Sequence, residues 1–429
     1  MPEKTVIIIG SGPAGLAAAV SLSRRGIRPL ILERLDRPSL KLLASGGGRC
    51  NFSNRLDPEE FMRKFGRSGG FMRKALEFAP REFLLNFLRS EKVEPVLTDQ
   101  FYYFPASGKA RDISDAFLRA SGAEVRTGAE AVEIKIESGA AAGVRLRDGE
   151  FIAASAVVLA AGGCAWSGLG TWAGLKLAEL LGHTIRKPLP AVAPLLVRDD
   201  WVGKLAGVTL PHARLSLRSR RRSWVAEGSL LFTHTGFSGF PALDLAGKAA
   251  ELCDREGRAE LILRPCADLD AAAWKQLLGE ARQRAGQRSV RSVLSEYIPR
   301  SLAEILLEQC ACTDAKAATL SAESQSGLMD RLSGWALTLD GAGPMEKAMA
   351  MRGGVSLKEV DSATLSSRLV RGLYLAGEIL DLTGPCGGYN MQWAFSSGFL
   401  AGASAAAMCN ASEGEENDER VDRKDFKTQ

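Results

Sequence analysis

Three glycines and one acid carry the first chemistry legible in this chain. Gly10, Gly12 and Gly15 stand in the string GSGPAG, after the apolar run at residues 6–9 and before an Ala- and Leu-rich segment of helical character. Gly10 permits a tight turn out of a strand. Gly12 lets the backbone approach a pyrophosphate that a Cβ would hold off, and Gly15 lets the helix lie close on a sheet. The helix N-terminus, with Pro13 and Ala14 in its first turn, offers free N–H groups and the positive end of its dipole to phosphates. Glu33 ends a second apolar run, with Arg34 beside it. A carboxylate there accepts hydrogen bonds from ribose hydroxyls. This order of strand, turn, helix, strand and acid predicts a bound dinucleotide, set against a Gly-rich turn in an ordinary α/β domain.

A second group of candidates lies further along. Gly46, Gly47 and Gly48 are bracketed by Ser45, Arg49, Cys50 and Asn51, a string that suits close backbone approach to a cofactor better than a surface loop. Gly377 and Glu378 close a strand-like run, and Asp381 follows. Carboxylates at this place suit hydroxyl donors. Gly388, Tyr389 and Asn390 open the last helix, whose amides could face the edge of a ring that gains negative charge on reduction. Asn390 also reads as the N-cap of that helix, and both readings hold together.

The chain has 429 residues, enough for two or three domains. Its content is 46% hydrophobic and 24% charged, ordinary for a soluble protein. A net charge of +5 is small for this length and does not point to nucleic acid. Structure is expected from the first residues, without a secretory signal, and no apolar run is long enough for a membrane span. The eight cysteines are scattered without a CxxC, which argues against a zinc ribbon or dithiol centre and suits a reducing cytoplasm. No metal site is expected, and nothing in the sequence specifies an oligomeric state.

These residues need a scaffold. Residues 1–35 predict βαβ, 59–90 helices interrupted at Pro80, and 124–160 a small meander returning to the main sheet. Pro188, Pro190 and Pro194 mark a boundary. The expected organisation is a nucleotide-binding domain at 1–190, an insert at 191–354 with β structure at 195–265 and helices at 271–335, and a return to the first domain at 355–410. A long helix is expected over 390–408, and the polar stretch 411–429 reads as a disordered tail.

The strings KLLASGGGRCNFSN (41–54), AVVLAAGG (156–163), LLFTHTGFSG (230–239) and GLYLAGEILDLTGPCGGYNMQWAFSSG (372–398), with the opening fingerprint, resemble a bacterial flavoprotein family often labelled BaiN-like or aminoacetone oxidase-like. The resemblance spans nearly the whole chain to about residue 410. It implies an α/β fold: a glutathione-reductase-type FAD-binding Rossmann domain with an inserted β-barrel and helical subdomain. It implies FAD, with the segments carrying Lys41, Gly162, Met391 and the residues named above along the cofactor; the absence of histidine from the first 182 residues removes the usual attachment partner, so the FAD is expected to be non-covalent. Val132 matches the position where the family's backbone touches adenine, with core packing as the alternative. The family's activities imply amine oxidation by O2 or reduction of an activated C=C bond in a small organic substrate. NAD(P)H is expected only as a transient electron donor.

Candidates for chemistry beyond the cofactor are few. Of three histidines, His183 and His212 read as structural, and His234, in FTHTGFSG, is the candidate for proton transfer, against a structural role. Cys50 is a candidate acid or redox thiol, against a small buried hydrophobe. The string at 168–173 looks like a second dinucleotide motif but lacks a following acid; where the family usually carries GDG, Trp172, Ala173 and Gly174 stand here. The arginine run at 218–222 reads as a solvated hairpin tip, not an RNA site. The expected function is an FAD-dependent oxidoreductase. The alternative is a flavin-binding sensor or RNA-associated factor with FAD as a structural ligand.

Overall fold

The computed structural model describes residues 5–219, 222–257 and 259–425, with 412–425 as backbone alone. The chain divides into two compact units: Met1–Pro188 with Met351–Gln429, and Leu189–Ala350.

The first unit is built on a parallel five-stranded sheet. Its spatial order is Leu373–Leu375, Ala156–Leu159, Thr5–Ile9, Arg28–Leu32 and Glu124–Arg126. Thr5–Ile9 reads TVIII because it is covered on both faces: Ile7 lies between Val157 and Leu30 in register. The helix Pro13–Ser23 begins with proline and is buried from Ala14 to Leu22. It packs against the closing helix Tyr389–Asp425. A Cβ on Gly398 would fall 2.1 Å from the Ala14 oxygen, and one on Gly402 2.4 Å from that of Ala18. Small residues four apart thus bring two helix backbones together. Ser21 Oγ adds a hydrogen bond to the Phe399 carbonyl at 2.7 Å.

The closing helix continues to Asp425 where the sequence suggested a disordered tail from 411; residues 426–429 lie outside the described residues. The extension is rich in Glu, Arg and Lys, which prolong an already nucleated helix at little cost. The region 59–90 is more broken than expected. Its helices Pro58–Lys64, Arg73–Phe78 and Arg81–Ser90 are separated by the 3-10 stretch Gly66–Met72 as well as by Pro80. A three-stranded antiparallel sheet, Ala131–Glu137, Ala140–Leu146 and Phe151–Ala153, leads into the main sheet at Ala156.

The second unit contains a closed six-stranded barrel. Its order is Leu195–Val197, Gly236–Gly239, Ser223–Thr233, Thr209–Arg218, Ala259–Arg264 and Trp335–Ala342. Leu215, Leu217, Leu261, Leu263, Leu337 and Leu339 are buried, and Trp201 stacks on Trp335 at 4.0 Å between ring centroids. The last strand lies beyond the expected β region, and the helix Phe240–Glu256 lies inside it. Helices Ala271–Arg284, Val290–Leu294, Arg300–Gln309 and Ala322–Gly334 occupy the stretch read as helical. Arg218 stands opposite Ser223 at the hairpin, while Arg220 and Arg221 lie outside the described residues. Arg214 is paired with Glu227, and Arg218 lies 4.0 Å from Glu260. Among the described residues no helix is long and apolar enough to cross a membrane, and no cluster of His, Cys, Asp or Glu could hold a metal ion.

Candidate functional site

The Gly-rich turn leaves the first strand at the C-terminal edge of the sheet. Gly10 has φ +104°, and a Cβ there would meet the Ala160 oxygen at 2.5 Å. A Cβ on Gly15 would meet the Gly10 oxygen at 1.9 Å. The chain's own packing demands these two glycines. Gly12 is different. Its φ of −70° suits any residue, and its Cβ would have no protein atom within 4 Å. It caps the helix Pro13–Ser23 without a side-chain bond. The first-turn N–H groups of a helix have no intrahelical acceptor. A residue here needs to be small only if a ligand approaches, which fits a phosphate at the helix end.

Glu33 is locked to that turn. Its Oε2 accepts from the Ser11 N–H at 3.1 Å and from Ser11 Oγ, and its Oε1 from the Leu35 N–H at 2.9 Å. Ser11 Oγ also accepts from the Ser39 N–H at 2.9 Å. A carboxylate has about four acceptor positions, so Oε1 keeps capacity for a ribose hydroxyl. Ser11, fully buried, was missed in the sequence because its neighbours drew the attention; a hydroxyl residue inside the fingerprint was the available signal. Arg34 Nη2 donates to the Gly170 carbonyl at 3.4 Å.

In the second Gly cluster, Gly46, Gly47, Gly48 and Cys50 have φ of +57°, +67°, +85° and +59°. This left-handed run explains the three glycines. Ser45 Oγ bonds the Leu42 carbonyl, and Arg49 lies over the Phe104 ring at 4.8 Å. Cys50 is fully buried, and burial pushes its thiol up to about 12, with Ser45 opposing the shift. It stays protonated at neutral pH and is a poor acid and a poor nucleophile there. The structure thus favours the small buried hydrophobe over the acid or redox role. Asn51 Oδ1 is buried with no partner. A Cβ on Gly388 would fall 2.7 Å from that atom and 2.6 Å from the Ser53 oxygen. The GGGRCN and GGYN strings therefore meet, and the orphaned Asn51 carbonyl fits a ligand N–H.

Glu378 is a junction between segments. Its Oε2 pairs with Lys41 Nζ at 2.6 Å and accepts from the Gly163 N–H at 3.2 Å, and its Oε1 accepts from the Met351 N–H at 2.9 Å. Gly162, with φ +67°, would bring a Cβ within 3.6 Å of the same carboxylate. Gly377 has φ +77° and packs on Ala14, and Asp381 is half-buried nearby, its N–H bonded to Val355.

The last helix begins at Tyr389, so Asn390 is not its N-cap. Its side chain reaches back to the Gly384 N–H at 2.8 Å and the Gly384 carbonyl at 3.0 Å, clamping the preceding loop. Tyr389 is buried, with its ring 5.1 Å from that of Phe61, and Met391 is half-buried. Val132 is 38% exposed, so core packing does not explain it. Its neighbour Ala129 donates to the Glu33 carbonyl at 2.9 Å. His183 is buried, with Nε2 2.9 Å from Ser367 Oγ. His212 bonds Asp268. His234 is exposed in the two-residue turn between Ser223–Thr233 and Gly236–Gly239 of the second unit.

The family model described as HI0933-like protein Rossmann domain matches residues 4–404. A 3-dehydro-bile acid delta(4,6)-reductase of Clostridium scindens is 29% identical, over 93% of this chain and 98% of its own length. A ribosomal RNA dihydrouridine synthase of Escherichia coli is 28% identical, over 92% and 96%. Among solved structures, the fold matches 3-ketosteroid delta1-dehydrogenase from Sterolibacterium denitrificans with TM-score 0.52 at 13% identity, covering 94% of this chain and all of that one. It matches a flavocytochrome c3 fumarate reductase with TM-score 0.51 at 16% identity, covering 95% and 79%. The fold is a Rossmann-type FAD-binding domain carrying an inserted barrel and helices, and the chain belongs to the HI0933-like family of FAD-dependent oxidoreductases.

Proposed function

We propose that this chain holds FAD non-covalently and reduces an activated C=C bond in a small organic substrate in the cytoplasm. Gly12 carries the cofactor reading: neither its backbone angles nor its neighbours require glycine, whereas a pyrophosphate at the helix N-terminus does. In this reading Gly12, Ala14 and Gly15 present N–H groups to the phosphates, and Glu33 accepts from the adenosine ribose. The Ser45–Asn51 loop offers the Asn51 carbonyl, and Asp381 accepts from the ribityl chain. Bound FAD supplies the hydride chemistry. Saturating a C=C bond also needs a proton, and His234 is the proposed donor.

The choice of reaction is supported by the relatives. One is named a reductase and another a dihydrouridine synthase, and both names describe hydrogen added across a C=C bond. No relative named here supports amine oxidation. NADH or NADPH is the proposed transient donor, since the chain carries a single dinucleotide fingerprint. The Escherichia coli relative supports a second reading, reduction of a nucleobase in RNA.

Anaerobic mixing separates the readings. NADH or NADPH is expected to bleach the flavin band, and an added enone to restore it. Bleaching by amines alone, with the band restored by oxygen and not by an enone, would make the chain an amine oxidase. Dihydrouridine formed in ribosomal RNA, with no enone reduced, would select the second reading.

A further inference from the structure

We propose, resting on the FAD reading above, that Trp172 is the stacking platform for the adenine ring of the cofactor. It lies in the string that the sequence set aside as a failed second dinucleotide motif.

The fold carries this segment to the right edge. Ala156–Leu159 is the neighbour of Thr5–Ile9 in the parallel sheet, and Ala160 donates to the Ile9 carbonyl at 2.9 Å. The chain beyond it folds back on itself. The Thr171 N–H reaches the Gly163 carbonyl at 3.0 Å, and the Gly170 N–H reaches that of Trp166 at 2.8 Å. A Cβ on Gly174 would sit 2.7 Å from Ala161 Cβ. Residues 170–174 therefore lie against the turn that leaves the sheet beside Gly10, at the carboxyl ends of the strands where such folds bind ligands. The Arg34 guanidinium, next to the ribose acceptor Glu33, is tied to the Gly170 carbonyl two residues before Trp172.

At this place the indole is left open. Trp172 is 49% exposed, whereas Trp201, Trp274, Trp335 and Trp393 are all under 9%. It is the N-cap of Ala173–Leu180, yet it makes no side-chain capping bond. Ser, Thr or Asp would serve that position better, so capping does not account for it. The helix it opens packs against Ala131–Glu137, whose Val132 is also exposed. An apolar ring facing water beside a ribose-binding acid suits one occupant best: the base attached to that ribose. Indole and adenine are both planar, and stacking removes the apolar faces of both from water.

The test uses the full-length protein stripped of flavin. ADP, FMN and FAD are titrated separately, with Kd from calorimetry and from tryptophan fluorescence. Trp172→Ala is expected to raise the Kd for ADP and FAD about tenfold or more, and to leave that for FMN unchanged. Trp172→Phe, which keeps a ring, is expected to retain affinity while losing the fluorescence quench produced by ADP. Unchanged ADP affinity in Trp172→Ala overturns the proposal. Loss of FMN affinity in place of ADP affinity also overturns it, by moving the indole to the isoalloxazine. If the unsubstituted protein binds FAD but not ADP, the adenine platform fails and the FAD reading stands; if it binds neither, both fall.

Discussion

Neither the backbone angles nor the neighbours of Gly12 require glycine, whereas Gly10 and Gly15 are glycine because backbone atoms leave no room for a Cβ. The distinction gives a sharp expectation. Gly12→Val is expected to fold with a nearly unchanged melting temperature and to purify without flavin, because the new side chain occupies the approach of the pyrophosphate. Flavin absorbance per protein, beside a thermal melt, measures both. Full FAD occupancy in this variant would remove the phosphate assignment. Much of this scale was legible: the fingerprint and Glu33 follow from residue spacing alone. The inward turn of Tyr389 and the clamp made by Asn390 were not. Whether a polar side chain faces a ligand or its own loop depends on backbone angles at Gly384–Gly388 that local sequence does not specify.

At the scale of elements, Glu378 joins the Lys41 helix, the turn after Ala156–Leu159 and the strand carrying Met351. Glu378→Ala strands two part-buried N–H donors and one ammonium. It is expected to destabilise the flavin-free protein by about 2 kcal/mol or more. Asp381→Ala is expected to weaken FAD binding by about 1–3 kcal/mol. Thermal melts of apoprotein test the first and FAD titrations the second; a Glu378→Ala apoprotein that melts with the unsubstituted one would contradict the junction. His183, which follows the helix Ala173–Leu180 and meets Ser367 and Glu359, gives a pH dependence. Burial holds its imidazole below the ordinary value of 6.5, against the pull of Glu359. As pH falls below 6.5 the unfolded chain takes up the proton first, so the native state loses stability until the folded value is passed. Above 6.5 both states are neutral and the contribution is full. His183→Gln is expected to flatten the melting-temperature profile between about pH 7 and pH 5. An unchanged slope would assign that acid sensitivity to other groups.

For the whole molecule, the parallel sheet and its closing helix come from patterns that local sequence declares: continuous apolar runs for buried strands, and Gly and Ala at spacings that let helices touch. The barrel was only partly legible. Its strand Trp335–Ala342 alternates buried and exposed residues as WALTLDGA, but it follows a helix after Gly334 and pairs with strands far back in the chain. Closure of a barrel by a distant segment is a property of the assembled sheet, not of eight residues. The barrel's interior is filled with leucine and aromatic side chains, so it is a packed core and not a container for a ligand. The cofactor is accordingly proposed to lie at the edge of the parallel sheet, where Ser11 ties Glu33 to the Gly12 turn and Glu378 ties Lys41 to Gly163.

A single turnover of the reduced enzyme decides whether its flavin reduces a C=C bond. Enzyme carrying FAD is photoreduced under argon and mixed with an enone in the absence of NAD(P)H and oxygen. The oxidised flavin band is expected to return, and one equivalent of saturated product, two hydrogens heavier than the enone, is expected to form per flavin. Reduced flavin that persists with every enone offered, and is reoxidised only when oxygen is admitted, would contradict the proposed C=C reduction.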